Sequence, residues 1–162
     1  MAETVRFLSH YTNRLDAKGR VSIPAPFRAA LAQDGFDGLL IHPSLEAPAV
    51  DCGGNALLQE IDRLLASFSP YSPERDTLST ALLGMSERLK IDPEGRVQLS
   101  AFCREKTGIS SDVVFVGLGR KFQIWEPQNF RAHLEEANNR LRELRKTLSA
   151  RGAAMPPNGA RE

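Results

Sequence analysis

The sequence predicts an α+β fold made of two copies of one small turn, strand and helix module, joined by helices and followed by a long C-terminal helix. Three observations predict it. "LDAKGRVSIPAPFR" (15–28) lies over "IDPEGRVQLSAFCR" (91–104) without a gap, with identity at Asp16/Asp92, Gly19/Gly95, Arg20/Arg96, Val21/Val97, Ala25/Ala101 and Arg28/Arg104. After each glycine the pattern alternates and then gives way to a helical one. Beyond the second copy, Phe130, Leu134, Ala137, Leu141, Leu144 and Leu148 recur at spacings of four and three. One pair of copies 76 residues apart is too singular for a solenoid.

Taken in order, "RVSIP" and "RVQLS" put Val21 and Ile23, or Val97 and Leu99, on one face of a short half-buried strand. A short helix follows each: "PAPFRAALAQ" opens on proline, and "SAFCREKTG" has Ser100 as N-cap and Gly108 as stop. Next come the strands "GLLIHP" and "DVVFVG". In the second copy "LGR" turns tightly into "KFQIWE", a hairpin. In the first, "IHPSLEAPAVDCGG" carries Pro43, Pro48 and a glycine pair, so its last strand is expected to be shorter or to sit on an edge.

Between the copies, "NALLQEIDRLLASF" sets Leu57, Leu58, Ile61, Leu64, Leu65 and Phe68 on one stripe, with Asn55 as cap. "SPERDTLSTALLG" starts with Ser72 as cap and Pro73 at the first helical position and ends at Gly84. The leucine seam after the second copy fits a helix packed on its own domain or one paired with a neighbouring subunit. The tail "RGAAMPPNGARE" has no periodicity and is expected to be disordered. The expected boundaries are a first module over 8–55, connecting helices over 56–83, a second module over 84–128, the C-terminal helix over 129–149 and the tail over 150–162.

Composition narrows the function. With 162 residues, 41% of them hydrophobic and 25% charged, the chain has an ordinary globular make-up. Cys52 and Cys103 form no disulfide framework and stand at no metal-ligand spacing, which fits a reducing cytoplasm. No apolar run nears the ~20 residues of a membrane span, and "MAETVRFLSH" lacks a signal-peptide layout. Neither a membrane nor a cofactor is expected as a partner. Charge is segregated: residues 1–30 carry five bases against two acids (+3), 31–130 nine against fourteen (−5), and 131–162 seven against four (+3). A basic end on an acidic body points to a face for an anion.

Turn chemistry explains Asp16, Gly19, Asp92 and Gly95, since Asp caps the turn and Gly takes the left-handed backbone. It leaves Arg20 and Arg96 unexplained. Asp16 can pair with Arg20 across the turn and leave spare guanidinium donors outward, a fork for a phosphate oxygen or a guanine edge. Lys18 at the tip adds a mobile positive charge. On these residues alone, a structural turn and an anion site are balanced.

The turn, the strand "VSIP" and the short helix resemble the AbrB-type swapped-hairpin DNA-binding fold. The duplicated layout, with "SHYTNRLDAKGRVSIPAPFR", "LLGMSERLKIDPEGRVQLS" and "VVFVGLGRKFQIWEP", resembles the MraZ family over most of residues 5–130. That resemblance implies a duplicated SpoVT-AbrB β-barrel, an intrachain pseudo-dimer with peripheral helices. It further implies a cytoplasmic, nucleoid-associated transcriptional regulator. The family's regulators sit at the head of the division and cell-wall gene cluster, bind repeats in their own promoter and form ring homo-oligomers. Double-stranded promoter DNA and the chain itself are then the partners, and repression is the expected outcome. The DNA-binding candidates are Arg14, Asp16, Lys18, Arg20, Asp92 and Arg96. Glu94 stands where the first turn has Lys18, and Gln98 where the first copy has Ser22, so the first turn is expected to be the stronger DNA contact.

Two other classes fit less well. For catalysis, His10, His42 and His133 are scattered, Cys52 lies in a glycine-flanked loop, and "GLG" at 117–119 is a lone turn; these suit surface or capping histidines, a small apolar cysteine and a hairpin. No enzyme and no small-molecule substrate are expected. An antitoxin or scaffold of the same fold that binds a protein partner is the alternative, but AbrB-type antitoxins usually append a disordered toxin-binding tail to a single module, whereas here the module is doubled.

Overall fold

The computed structural model describes residues 6–154. In chain order the elements are β1 (His10–Arg14), β2 (Arg20–Ser22), α1 (Ala25–Asp34), β3 (Leu39–Pro43), β4 (Ala49–Gly53), α2 (Asn55–Ala66) and α3 (Pro73–Ser79). After a π-type turn over Thr80–Gly84 come β5 (Glu87–Leu89), β6 (Arg96–Gln98), α4 (Ala101–Thr107), β7 (Asp112–Gly117), β8 (Phe122–Trp125) and α5 (Pro127–Ala154). Contacts divide the chain into one unit up to Pro127 and a second from Gln128 onward.

The two copies interleave. Six antiparallel strands run in the order β1-β7-β8-β4-β3-β5, while β2 and β6 form a separate two-stranded ribbon. First-copy β1 therefore pairs with second-copy β7, and β3 with β5 at the head of the second copy. Val21 faces Val97 at the centre of the ribbon. This exchange of strands is the swapped, pseudo-dimeric arrangement expected, and the fold is α+β with peripheral helices and a long C-terminal helix.

One core joins ribbon and sheet. Val21, Ile23, Val97 and Leu99 pack with Ile41, Val50, Phe115 and Ile124, and the rings of Phe7, Phe27 and Phe122 meet within it edge-on and tilted. Alternation along β3 sends Leu39 and Ile41 into this core, and Leu40 into a second cluster with Leu57, Ile61, Leu65 and Leu82 under α2. Both faces of β3 are covered, so the strand is apolar almost throughout.

Several expectations are met. Ser72 accepts from the Arg75 amide and Ser100 from the Cys103 amide as caps, and Gly108 ends α4 in the left-handed region. The β7–β8 hairpin closes with the Leu118 amide donating to the Lys121 carbonyl.

Others need correction. The last strand of the first copy is neither short nor at an edge: β4 has five buried residues and lies between β3 and β8. Pro43 and Pro48 flank the β4 connection without entering β4, so they cost its ladder nothing. Asn55 does not cap α2; the Asp34 carboxylate, at the end of α1, accepts from the Asn55 and Ala56 amides instead. Cys52 lies within β4 rather than in a loop, and His42 is buried in β3 rather than a surface residue. Helix α5 runs on through Ala154, so the first four residues of the quoted tail are helical and the rest fall outside the described residues. No described helix is long and apolar enough to cross a membrane.

Candidate nucleic-acid interface

Both Asp-x-x-Gly-Arg turns fold in the same way, and the aspartate organises each. In the first, Asp16 Oδ1 accepts from the Lys18 amide (2.9 Å) and the Arg20 amide (2.8 Å), while Oδ2 accepts from Arg20 Nε (2.8 Å). In the second, Asp92 Oδ1 accepts from the Glu94 and Arg96 amides (both 2.9 Å) and Oδ2 from Arg96 Nε (2.8 Å). Gly19 and Gly95 sit at φ 79° and 83°, where a side chain is strained. One carboxylate thus closes the turn and fixes the guanidinium that follows it.

These bonds set the electrostatics. The Arg20 backbone amide, then its side chain and the Lys18 amide, hold the Asp16 carboxyl below its ordinary value. Asp92 is lowered in the same way, first by the Arg96 amide. Each aspartate is therefore ionised at neutral pH and holds its arginine through Nε.

The ribbon displays the pair. Val21 and Val97 point into the core, so Arg20, Ser22, Arg96 and Gln98 alternate onto the outer face. Arg20 lies opposite Gln98 and Ser22 opposite Arg96, which sets the two turns at opposite ends of the ribbon. The Leu99 amide donates to the Gly19 carbonyl and the Ile23 amide to the Gly95 carbonyl, so each turn is stitched to the strand of the other copy.

The turns differ where their sequences differ. Arg96 Nη2 is 2.8 Å from Glu94 Oε2, so a second donor is already engaged and the second turn carries two acids against one base. Among the described residues no such partner holds the Arg20 Nη groups, and Lys18 at the tip is exposed. Arg14, exposed at the end of β1 opposite Asp112, lies outside the hydrogen bonds of the turn. The structure therefore brings Asp16, Lys18 and Arg20 together, sets Asp92 and Arg96 across the ribbon, and leaves Arg14 on the neighbouring strand.

Sequence reasoning missed three contributors. Gln98 Nε2 donates to the Lys18 carbonyl at 2.7 Å. The Arg104 guanidinium carbon lies 3.8 Å from where a Cβ on Gly19 would stand, so an exposed base from the second copy borders the first turn. Arg28 takes the equivalent place at the second turn, where a Cβ on Gly95 would meet it at 2.5 Å, and its Nη1 donates to the Ile23 carbonyl. The signal was present, since Arg28/Arg104 is one of the six identities of the repeat. Its role shows only once the copies interleave.

A relative from Beijerinckia indica subsp. indica, named "Transcriptional regulator MraZ", is 64% identical over 162 residues, spanning 97% of this chain and 99% of the relative. The chain belongs to the MraZ family. Relatives of the same name from Methylocella silvestris (64% over 161 residues, 96% and 98% of the two chains) and Rhizobium meliloti (45% over 136 residues, 83% and 93%) agree. A family model described as "MraZ protein, putative antitoxin-like" matches residues 82–151. The interleaved strand order fits the AbrB-like fold expected of the MraZ family.

The cysteines offer no reactive thiolate at this face. Cys52 and Cys103 are buried, burial raising the first well above its ordinary value and the second to about 12.

Proposed function

We propose that this chain is a sequence-specific, DNA-binding transcriptional regulator that represses its own division and cell-wall gene cluster as a ring homo-oligomer. The observation that carries the proposal is the pair of aspartate-held arginines on the outer face of one ribbon, the first with no second acid on its guanidinium among the described residues. An arginine fixed through Nε offers its remaining N–H groups as a fork for a phosphate or for guanine O6 and N7, with little entropy left to lose.

The first turn does most of the contacting. Lys18 and Arg104 flank Arg20 with mobile and exposed positive charge, while Glu94 competes for Arg96. Asp92 and Arg96 chiefly hold the second turn and, through the Ile23–Gly95 bond, the ribbon. Arg14 reaches the backbone of the same duplex from β1.

One turn neutralises only two or three phosphates, which gives weak and salt-sensitive binding. Several turns on one ring engage spaced promoter repeats together, and linkage of this kind raises avidity by roughly two to four powers of ten. The two modules, over 8–55 and 84–128, form one reading head, with the helices of 56–83 beside it. Occupancy of the promoter then blocks polymerase. The wording of the family match favours a second reading, an antitoxin-like protein that holds a protein partner.

Footprinting of DNA from upstream of the gene tests the proposal. Regularly spaced protected repeats are expected. Uniform protection of upstream and unrelated DNA overturns the specific regulator, and co-purification of one stoichiometric small protein without DNA protection supports the second reading.

A further inference from the structure

We propose that the leucine seam of α5 in one copy docks into an acidic groove beside α2 in a second copy, head to tail. This rests on the ring assembly above and names the surfaces that build it.

The seam cannot be satisfied by its own twin. Leu134, Leu141 and Leu148 occupy one heptad position and Phe130, Ala137 and Leu144 the other, and Leu141, Leu144 and Leu148 are exposed. The flanking positions hold Arg131, His133, Asn138, Arg140, Arg145 and Thr147, with no acid among them. A parallel pair would set Arg140 against Arg145 of the other helix, and an antiparallel pair would set bases against bases. The acids Glu135, Glu136 and Glu143 lie on the outer side, and the Glu136–Arg140 pair is too exposed to neutralise the flank by much. The seam asks for an apolar surface with an acidic border.

The groove supplies that chemistry. It encloses about 440 Å³ in the unit up to Pro127, walled by Leu57, Ile61, Leu64 and Leu82, with Leu45 beside them. Leu45 and Leu64 are 54% and 44% exposed. Glu46 and Glu60 border it as exposed carboxylates. On its floor Asp51 is already matched by Lys121 and Gln123.

His42 is 3% exposed and lies under the groove beside Asp51, its Nδ1 donating to the Pro43 carbonyl at 3.1 Å. The two exposed rim carboxylates call for a cationic donor, and arginine is donor-only. Helix and groove are different surfaces, so a contact made head to tail from copy to copy is heterologous, and it gives a ring where the rotation closes.

Charge reversal with complementation tests this. One protein carries Glu46→Lys and Glu60→Lys in the groove, the other Arg140→Glu and Arg145→Glu on the helix, and native mass is read for each alone and for their mixture. Wild type is expected to be a multiple of 17.9 kDa. Each variant alone is expected to lose assembly affinity by about tenfold or more, and the mixture to regain it, because every alternating contact again joins opposite charges. Recovery also shows that both variants are folded. A groove variant that assembles like wild type means the helix seats elsewhere and overturns the docking while leaving the ring intact. A monomeric wild type overturns both docking and ring, and the footprint still judges DNA binding separately.

Discussion

The side-chain amide of Gln98 donates to the main-chain carbonyl of Lys18 at 2.7 Å, tying the strand of the second module to the tip of the first module's turn. The bond crosses the ribbon beside the Leu99–Gly19 backbone bond, so it positions the tip without being needed to form it. Gln98→Ala is expected to lower DNA affinity by about 1 kcal/mol, roughly fivefold, with little change in melting temperature. Affinity and melting curves on one preparation check this. A large loss of stability with unchanged affinity per folded molecule would place Gln98 in the fold instead.

The Lys18/Glu94 difference gives a reciprocal pair of predictions. Lys18→Glu lets a carboxylate engage Arg20 as Glu94 engages Arg96, so affinity should fall and the salt dependence flatten by about one counterion per turn. Glu94→Lys should do the opposite at the second turn. Titrations across a salt series separate these from a change in base contacts, which would leave the slope alone.

Arg28 and Arg104 are equivalent in the repeat and unequal in the structure. Arg28 packs over Gly95 and donates to Ile23, whereas Arg104 is exposed beside Gly19. Arg28→Ala should therefore cost stability, on the order of 1 kcal/mol, and Arg104→Ala should cost affinity. Urea unfolding and DNA titration of both variants should show the two effects crossing over.

Acid should loosen both turns. Asp16 and Asp92 have folded-state values below their unfolded ones, so the stability they contribute is present above the ordinary carboxylate value, about 4, and is lost as pH falls through the lowered value. Melting temperature should thus be insensitive to these groups from neutral pH to about 5 and drop below that. Asp16→Asn with Asp92→Asn should be less stable at neutral pH and show a shallower acid limb. An unchanged acid limb would mean other carboxylates govern it.

Much of this was legible locally. The turns, the alternating ribbon strands, the caps Ser72 and Ser100 and the β7–β8 hairpin depend on neighbours within a few residues, and the repeat doubled the signal for the turns. What the sequence hid depends on distant partners. Asp34 displaces Asn55 as the α2 cap because α1 ends against it, Asp34 standing 21 residues before Asn55 in the chain. β4 becomes an interior strand because β8 of the second copy pairs with it. Arg104 borders the first turn for the same reason, since only the exchange of strands places one copy's helix beside the other's turn. Glu94 as a competitor for Arg96 was half visible, as a charge difference without its geometry.

The central claim is that an aspartate-held Arg20 on the first turn reads DNA. Anisotropy titration of wild type, Arg20→Ala and Arg96→Ala against DNA from upstream of the gene, over several salt concentrations, tests it most directly. Arg20→Ala should weaken binding by about 1–3 kcal/mol and relax preference for the upstream sequence, with a smaller loss for Arg96→Ala. Arg20→Ala binding as tightly as wild type at every salt concentration would contradict the account.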